Sequence, residues 1–83
     1  MDSTIEVSQA VALRIQELLK AKNITRYKLA QKSCLSHDTI KSIMKNKAKG
    51  VTLKTIILLA EGFGITAAEF LASPLFDRDN FDI

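Results

Sequence analysis

At 83 residues and a net charge of +3, the chain has room for one domain with little core to spare, since a chain of this size buries only about 60% of the surface it exposes when unfolded. Its 47% apolar content, three glycines, one proline and one cysteine exclude the disordered, collagen-like and disulfide-stapled classes. No run approaches the ~20 apolar residues of a membrane span, and the opening MDSTIEVSQ lacks the basic and apolar segments of a signal peptide, so a cytoplasmic location is expected.

Residues 1–7 are polar and without periodicity, which predicts a flexible N-terminal arm ahead of a domain over residues 8–72. Ser8 is a candidate cap for a first helix from Gln9 to Lys22, buried along Val11, Ile15 and Leu18 with Ala12 and Leu19 beside them and with Leu13 on the opposite side. Asn23 ends that helix. Thr25 is the candidate cap of a second helix, Arg26 to Ser33, which turns Leu29 and Ala30 to one side, Ala30 being small where two crossing helices need closeness.

Ser36 then precedes His37, Asp38 and Thr39, and its hydroxyl is placed to accept a first-turn N–H of a third helix. At about 100° per residue, Ile40, Ile43 and Met44 share one arc of that helix, while His37, Asp38, Lys41, Ser42 and Lys45 fall on the other side. One face is core and the other is free to read a groove. Lys45 to Gly50 has no apolar period and predicts a basic loop suited to phosphate. Thr52 caps a fourth helix in which Leu53, Ile56, Ile57, Leu59, Ala60 and Phe63 share a broad buried face and Leu58 projects from the other. Gly64 stops it, and Thr66 caps a short fifth helix whose Phe70 and Leu71 close the core. Ser73-Pro74 breaks the pattern, leaving residues 73–83 as an acidic and apolar C-terminal tail.

Charge is segregated along the chain. Between Arg14 and Lys54 lie eleven basic residues against two acids, whereas the flanks carry seven acids against Arg78. Lysines often do no more than solubilise helix faces, but sorting of sign by region is what a polyanion partner selects.

The I-T-x-x-x-L-A run at Ile24, Thr25, Leu29 and Ala30, the capped Ser36, the Ile40 and Ile43 pair and the later LAEGFGITAAEFL together resemble the Cro/C1-type helix-turn-helix family, the lambda-repressor-like or XRE type, from about Arg14 to Leu71. The resemblance implies an all-α, compact five-helix domain acting as a sequence-specific double-stranded DNA-binding transcriptional regulator, with repression as the expected sign. It puts His37, Asp38 and Ser42 where the family's base-reading side chains stand, with Lys41 between them, and Arg26 at a phosphate-contacting position. Lys45, Lys47 and Lys49 are further expected phosphate contacts. For Asp38 two readings stand side by side, an acceptor for cytosine N4 or a stabiliser of the helix N-terminus. The chain departs from the family where glycine is usual, carrying Asn23, Cys34 and Asn46. Asparagine tolerates a left-handed backbone, whereas Cys34 costs about 1 kcal/mol if its φ is positive.

Other chemistry finds no support. Cys34 and His37 lack the second pair that a closed zinc site needs, and no Gly-rich phosphate loop, nucleophile elbow or paired carboxylates occur, so no metal, no cofactor and no enzymatic activity are expected. Single-stranded or RNA targets are disfavoured because Tyr27 is the basic region's lone aromatic. A homodimer on an inverted-repeat operator is expected, paired through the fourth and fifth helices and the tail, with Leu58, Leu75, Phe76 and Phe81 as its surface. The rival reading is a protein-interaction module, such as the antitoxin half of a toxin–antitoxin pair, whose tail folds on a partner instead of on its own domain.

Overall fold

Hydroxyl caps set the start of four helices. Thr25 Oγ1 accepts the Lys28 N–H at 3.1 Å, Ser36 Oγ the Thr39 N–H at 3.0 Å, Thr52 Oγ1 the Thr55 N–H at 3.2 Å and Thr66 Oγ1 the Glu69 N–H at 3.1 Å, each worth about 1 kcal/mol. The computed structural model describes residues 5–45 and 50–81. Within them the chain is all-α: α1 Val7–Lys22, α2 Arg26–Ser33, α3 His37–Met44, α4 Leu53–Phe63 and α5 Ala67–Leu71, then 3-10 turns at Pro74–Phe76 and Arg78–Asn80. No helix among the described residues is long and apolar enough to cross a membrane.

Helix α1 starts earlier than expected. Glu6 is its cap, and a reciprocal box with Gln9 holds it, the Glu6 N–H donating to Gln9 Oε1 at 2.8 Å. Ser8 is therefore not a cap. It lies in the first turn, 2% exposed, with no partner for its hydroxyl. The end of the expected arm is also engaged, because the Ile5 N–H donates to Asn80 O at 2.8 Å and ties the segment before α1 to the tail.

The core joins Val11, Ile15 and Leu18 of α1, Leu29 of α2, Ile40 and Ile43 of α3, Ile56, Leu59 and Phe63 of α4, and Phe70 of α5. Phe70 is fully enclosed, its ring centroid 6.5 Å from Phe63 and 6.3 Å from Phe76. Phe76 thereby brings the tail's first turn onto the same core. The pairing of α2 with α4 is fixed at Gly62, where an added Cβ would meet Ser33 Cβ at 2.8 Å and Leu29 Cδ1 at 2.9 Å. The closest approach thus falls at Ser33, while Ala30 is half-buried.

That contact sets the rotation of α4 and corrects three assignments. With Gly62 turned to α2, the buried face centres on Ile56, Leu59, Ala60 and Phe63; Leu53 and Ile57, expected inside, are 64% and 49% exposed, and Leu58, expected outside, is half-buried. Leu71 is exposed as well, because the short α5 encloses Phe70 and rests Ala67 against the core, with Leu71 turned away from both.

Candidate nucleic-acid interface

The outward face of α3 is set by its inward one. Ile40 and Ile43 are enclosed, Met44 is half-buried, and His37, Asp38 and Lys41 stand in solvent on the far side. Eight residues at 1.5 Å each make a rod about 12 Å long, matched to a major groove about 12 Å wide. His37 and Asp38 occupy the first turn, the end that meets base edges when such a helix enters the groove. Ser42 is half-buried. It lines a cleft of about 210 Å³ with Thr39, Ile43, Gly50, Val51 and Thr55, between α3 and the start of α4.

Between α2 and α3 the backbone turns at Cys34, whose φ of 61° and ψ of 18° are left-handed. This is the conformation that glycine takes without penalty, and a side chain there costs about 1 kcal/mol. The turn closes all the same, since Ser33 Oγ donates to Ala30 O at 3.4 Å and accepts the Leu35 N–H at 3.3 Å. Asn23, after α1, has a φ of 54° and is likewise left-handed. Asn46, the third such position, lies outside the described residues, as do Lys47 and Lys49.

Around the motif, Arg26 opens α2, Lys28 and Lys32 follow on it, and Lys41 and Lys45 belong to α3 and its C-cap; all five are exposed. Helix α2 contains no acid. Arg14, counted with these cations in the sequence, has another task. Its Nε donates to Phe70 O at 2.7 Å and its Nη2 to Glu69 O at 3.0 Å, while Nη1 lies 3.5 Å from Glu17 Oε1. It binds α1 to the end of α5.

Tyr27, the basic region's lone aromatic, has a hydrogen-bond partner on its own helix. Tyr27 is 65% exposed, and Gln31 Nε2 donates to its hydroxyl at 3.4 Å. Of the expected pairing surface, Leu58, Leu75, Phe76 and Phe81 are all half-buried, and Phe76 faces Phe70 of its own domain. Away from α3, the Thr66 N–H, 3.0 Å from Glu69 Oε1, together with the Thr66 hydroxyl holds the Glu69 carboxyl below its ordinary range, and the charge of Lys22 acts in the same direction.

A family model described as the Cro/C1-type HTH DNA-binding domain matches residues 14–73. No curated protein matches. Among solved structures, the wild-type restriction-modification controller protein C.Esp1396I is similar at 26% identity and a TM-score of 0.69, over 77% of this chain and 82% of that one. A tyrosine-to-phenylalanine variant of the same controller protein gives a TM-score of 0.71 at 26% identity, over 81% and 86%. A matched model over most of the chain, on a helix whose apolar side is enclosed and whose polar side is open, places this chain in the Cro/C1-type helix-turn-helix family, and it is a DNA-binding transcriptional regulator.

Proposed function

We propose that the chain represses transcription by binding an inverted-repeat operator as a homodimer, with α3 in the major groove. His37, Asp38, Lys41 and Ser42 read base edges: His37 or Lys41 donates to guanine O6 or N7, Asp38 accepts from cytosine N4, and Ser42 serves in either sense. Arg26, Lys45, Lys47 and Lys49 grip phosphate and carry the salt dependence. Repression follows from exclusion of polymerase where the operator overlaps a promoter.

The observation that carries this reading is the enclosure of Ile40 and Ile43 beneath an exposed His37, Asp38 and Lys41. Pairing between copies is supported by Leu53 and Ile57, one turn apart on α4, and by Leu71 on α5, apolar side chains left in solvent by their own domain. The test is selection of bound duplexes from a random pool at near-physiological salt. Enrichment of an inverted repeat is expected. No enriched sequence would remove base reading, and a single half-site would remove the dimer.

A further inference from the structure

Tyr27 is the one large aromatic that the motif leaves open to solvent, and it is not left alone. It sits in the first turn of α2, a helix whose charged residues, Arg26, Lys28 and Lys32, are all cations. Burial does not explain a phenol 65% exposed, and its ring is absent from the aromatic cluster of the core. One turn on, Gln31 Nε2 donates to the phenolic oxygen at 3.4 Å. That bond takes up an acceptor position of the oxygen and leaves its own proton to be donated elsewhere, and a hydroxyl that accepts one hydrogen bond donates the next more strongly. A neutral donor set among three cations, beside the Arg26 expected to meet phosphate, is suited to an anionic oxygen that surrounding charge has already drawn close.

We infer that Tyr27 anchors the DNA backbone, its phenolic O–H donating to a phosphate oxygen while Gln31 orients it. This rests on duplex binding by the helix-turn-helix and adds a contact on α2 that the base-reading face of α3 does not supply. The contact is uncharged. It therefore strengthens binding to every sequence without adding to the number of counterions released.

The chain has one tyrosine and no tryptophan, so its ultraviolet emission reports on Tyr27 directly. The experiment titrates the full chain with a duplex that it binds, following tyrosine emission and, separately, anisotropy of a labelled duplex. Emission is expected to change in step with binding. Y27F is expected to bind about five- to tenfold more weakly on cognate and random duplex alike, with an unchanged slope of log affinity against log salt. Gln31→Ala is expected to show a smaller loss in the same pattern. Because the hydroxyl is exposed, Y27F keeps the fold, which circular dichroism verifies. Binding by Y27F equal to that of the unaltered chain, with tyrosine emission unmoved, would overturn the inference, and so would a loss confined to particular sequences. If the unaltered chain bound no duplex by anisotropy, the reading beneath the inference would fail instead.

Discussion

Arg14 Nε donates to Phe70 O at 2.7 Å, so a side chain of the first helix caps the open carbonyl end of the last one, 56 residues away. The carbonyls that end a helix need partners, and hydrogen bonds from a charged donor contribute about 1.5–3 kcal/mol. Arg14→Met, which keeps the aliphatic stem, is expected to lose about 2 kcal/mol in urea unfolding with little change in the DNA contacts. Its position on the scaffold also means that duplex affinity, measured well below the melting temperature, should be nearly unchanged.

Gly62 is where α2 and α4 touch. Gly62→Ala gains up to about 1 kcal/mol of helix propensity but places a methyl 2.8 Å from Ser33 Cβ. A net loss of about 1–3 kcal/mol is expected by thermal unfolding. Ser33→Ala should not rescue it, because the atom in contact is the Cβ that alanine retains.

Cys34 holds a left-handed backbone that only glycine occupies freely. Cys34→Gly relieves about 1 kcal/mol of strain and adds about 0.5–1 kcal/mol of unfolded-state entropy, so a net gain of no more than about 0.5 kcal/mol is expected in unfolding free energy. Cys34→Val is expected to move the midpoint the other way.

Glu69 gives the acid limb of stability a specific contributor. Its folded pKa lies below the ordinary value of 4.5, chiefly through the Thr66 backbone N–H. The carboxylate therefore stabilises the fold above that value, and the contribution disappears as pH falls through the lower, folded pKa. Glu69→Gln removes the titration. The melting-temperature gap between the two chains should be constant well above the ordinary carboxylate range and close as pH falls through and below it; a gap independent of pH would reject the assignment.

On DNA, readers and anchors should separate. His37→Ala is expected to relax preference at particular base pairs by about 1–3 kcal/mol, whereas Lys45→Ala should weaken all sequences alike and lower the salt slope by about 1. Affinity measured on a panel of single-base operator variants at two salt concentrations distinguishes the two outcomes.

Much of this architecture could be read from the chain because it is written locally. Thr25, Ser36, Thr52 and Thr66 cap helices through contacts three residues away, and Ile40 and Ile43 lie on one side of a helix by period alone. The differences lie mostly where a distant residue decides. The face of α4 was misjudged because Gly62, lacking a side chain, gives no signal in a hydropathy pattern, yet its fit against Ser33 rotates Leu53 and Ile57 outward. Ser8 looked like a cap until Glu6 and Gln9 closed a box two residues earlier. Arg14 looked like one more cation of the motif, since nothing near it in sequence reveals the carbonyls of Glu69 and Phe70. His37, Asp38 and Lys41 are legible as an exposed face; the partner of Tyr27 is not, because it depends on where the Gln31 side chain lies.

The bond from the Ile5 N–H to Asn80 O closes the described chain almost into a ring. A few glycines joining Phe81 to Ile5 would bridge these two neighbouring segments, and the polypeptide could then be opened at another surface point, such as the stretch between α1 and α2, with every described helix kept. Such a rearranged gene product would pair most helices with the same sequence neighbours and so should fold at a similar speed. It would also let a fused cargo leave from beside α2 in place of the side where Ile5 and Asn80 meet, giving a way to choose which flank of the molecule stays unobstructed.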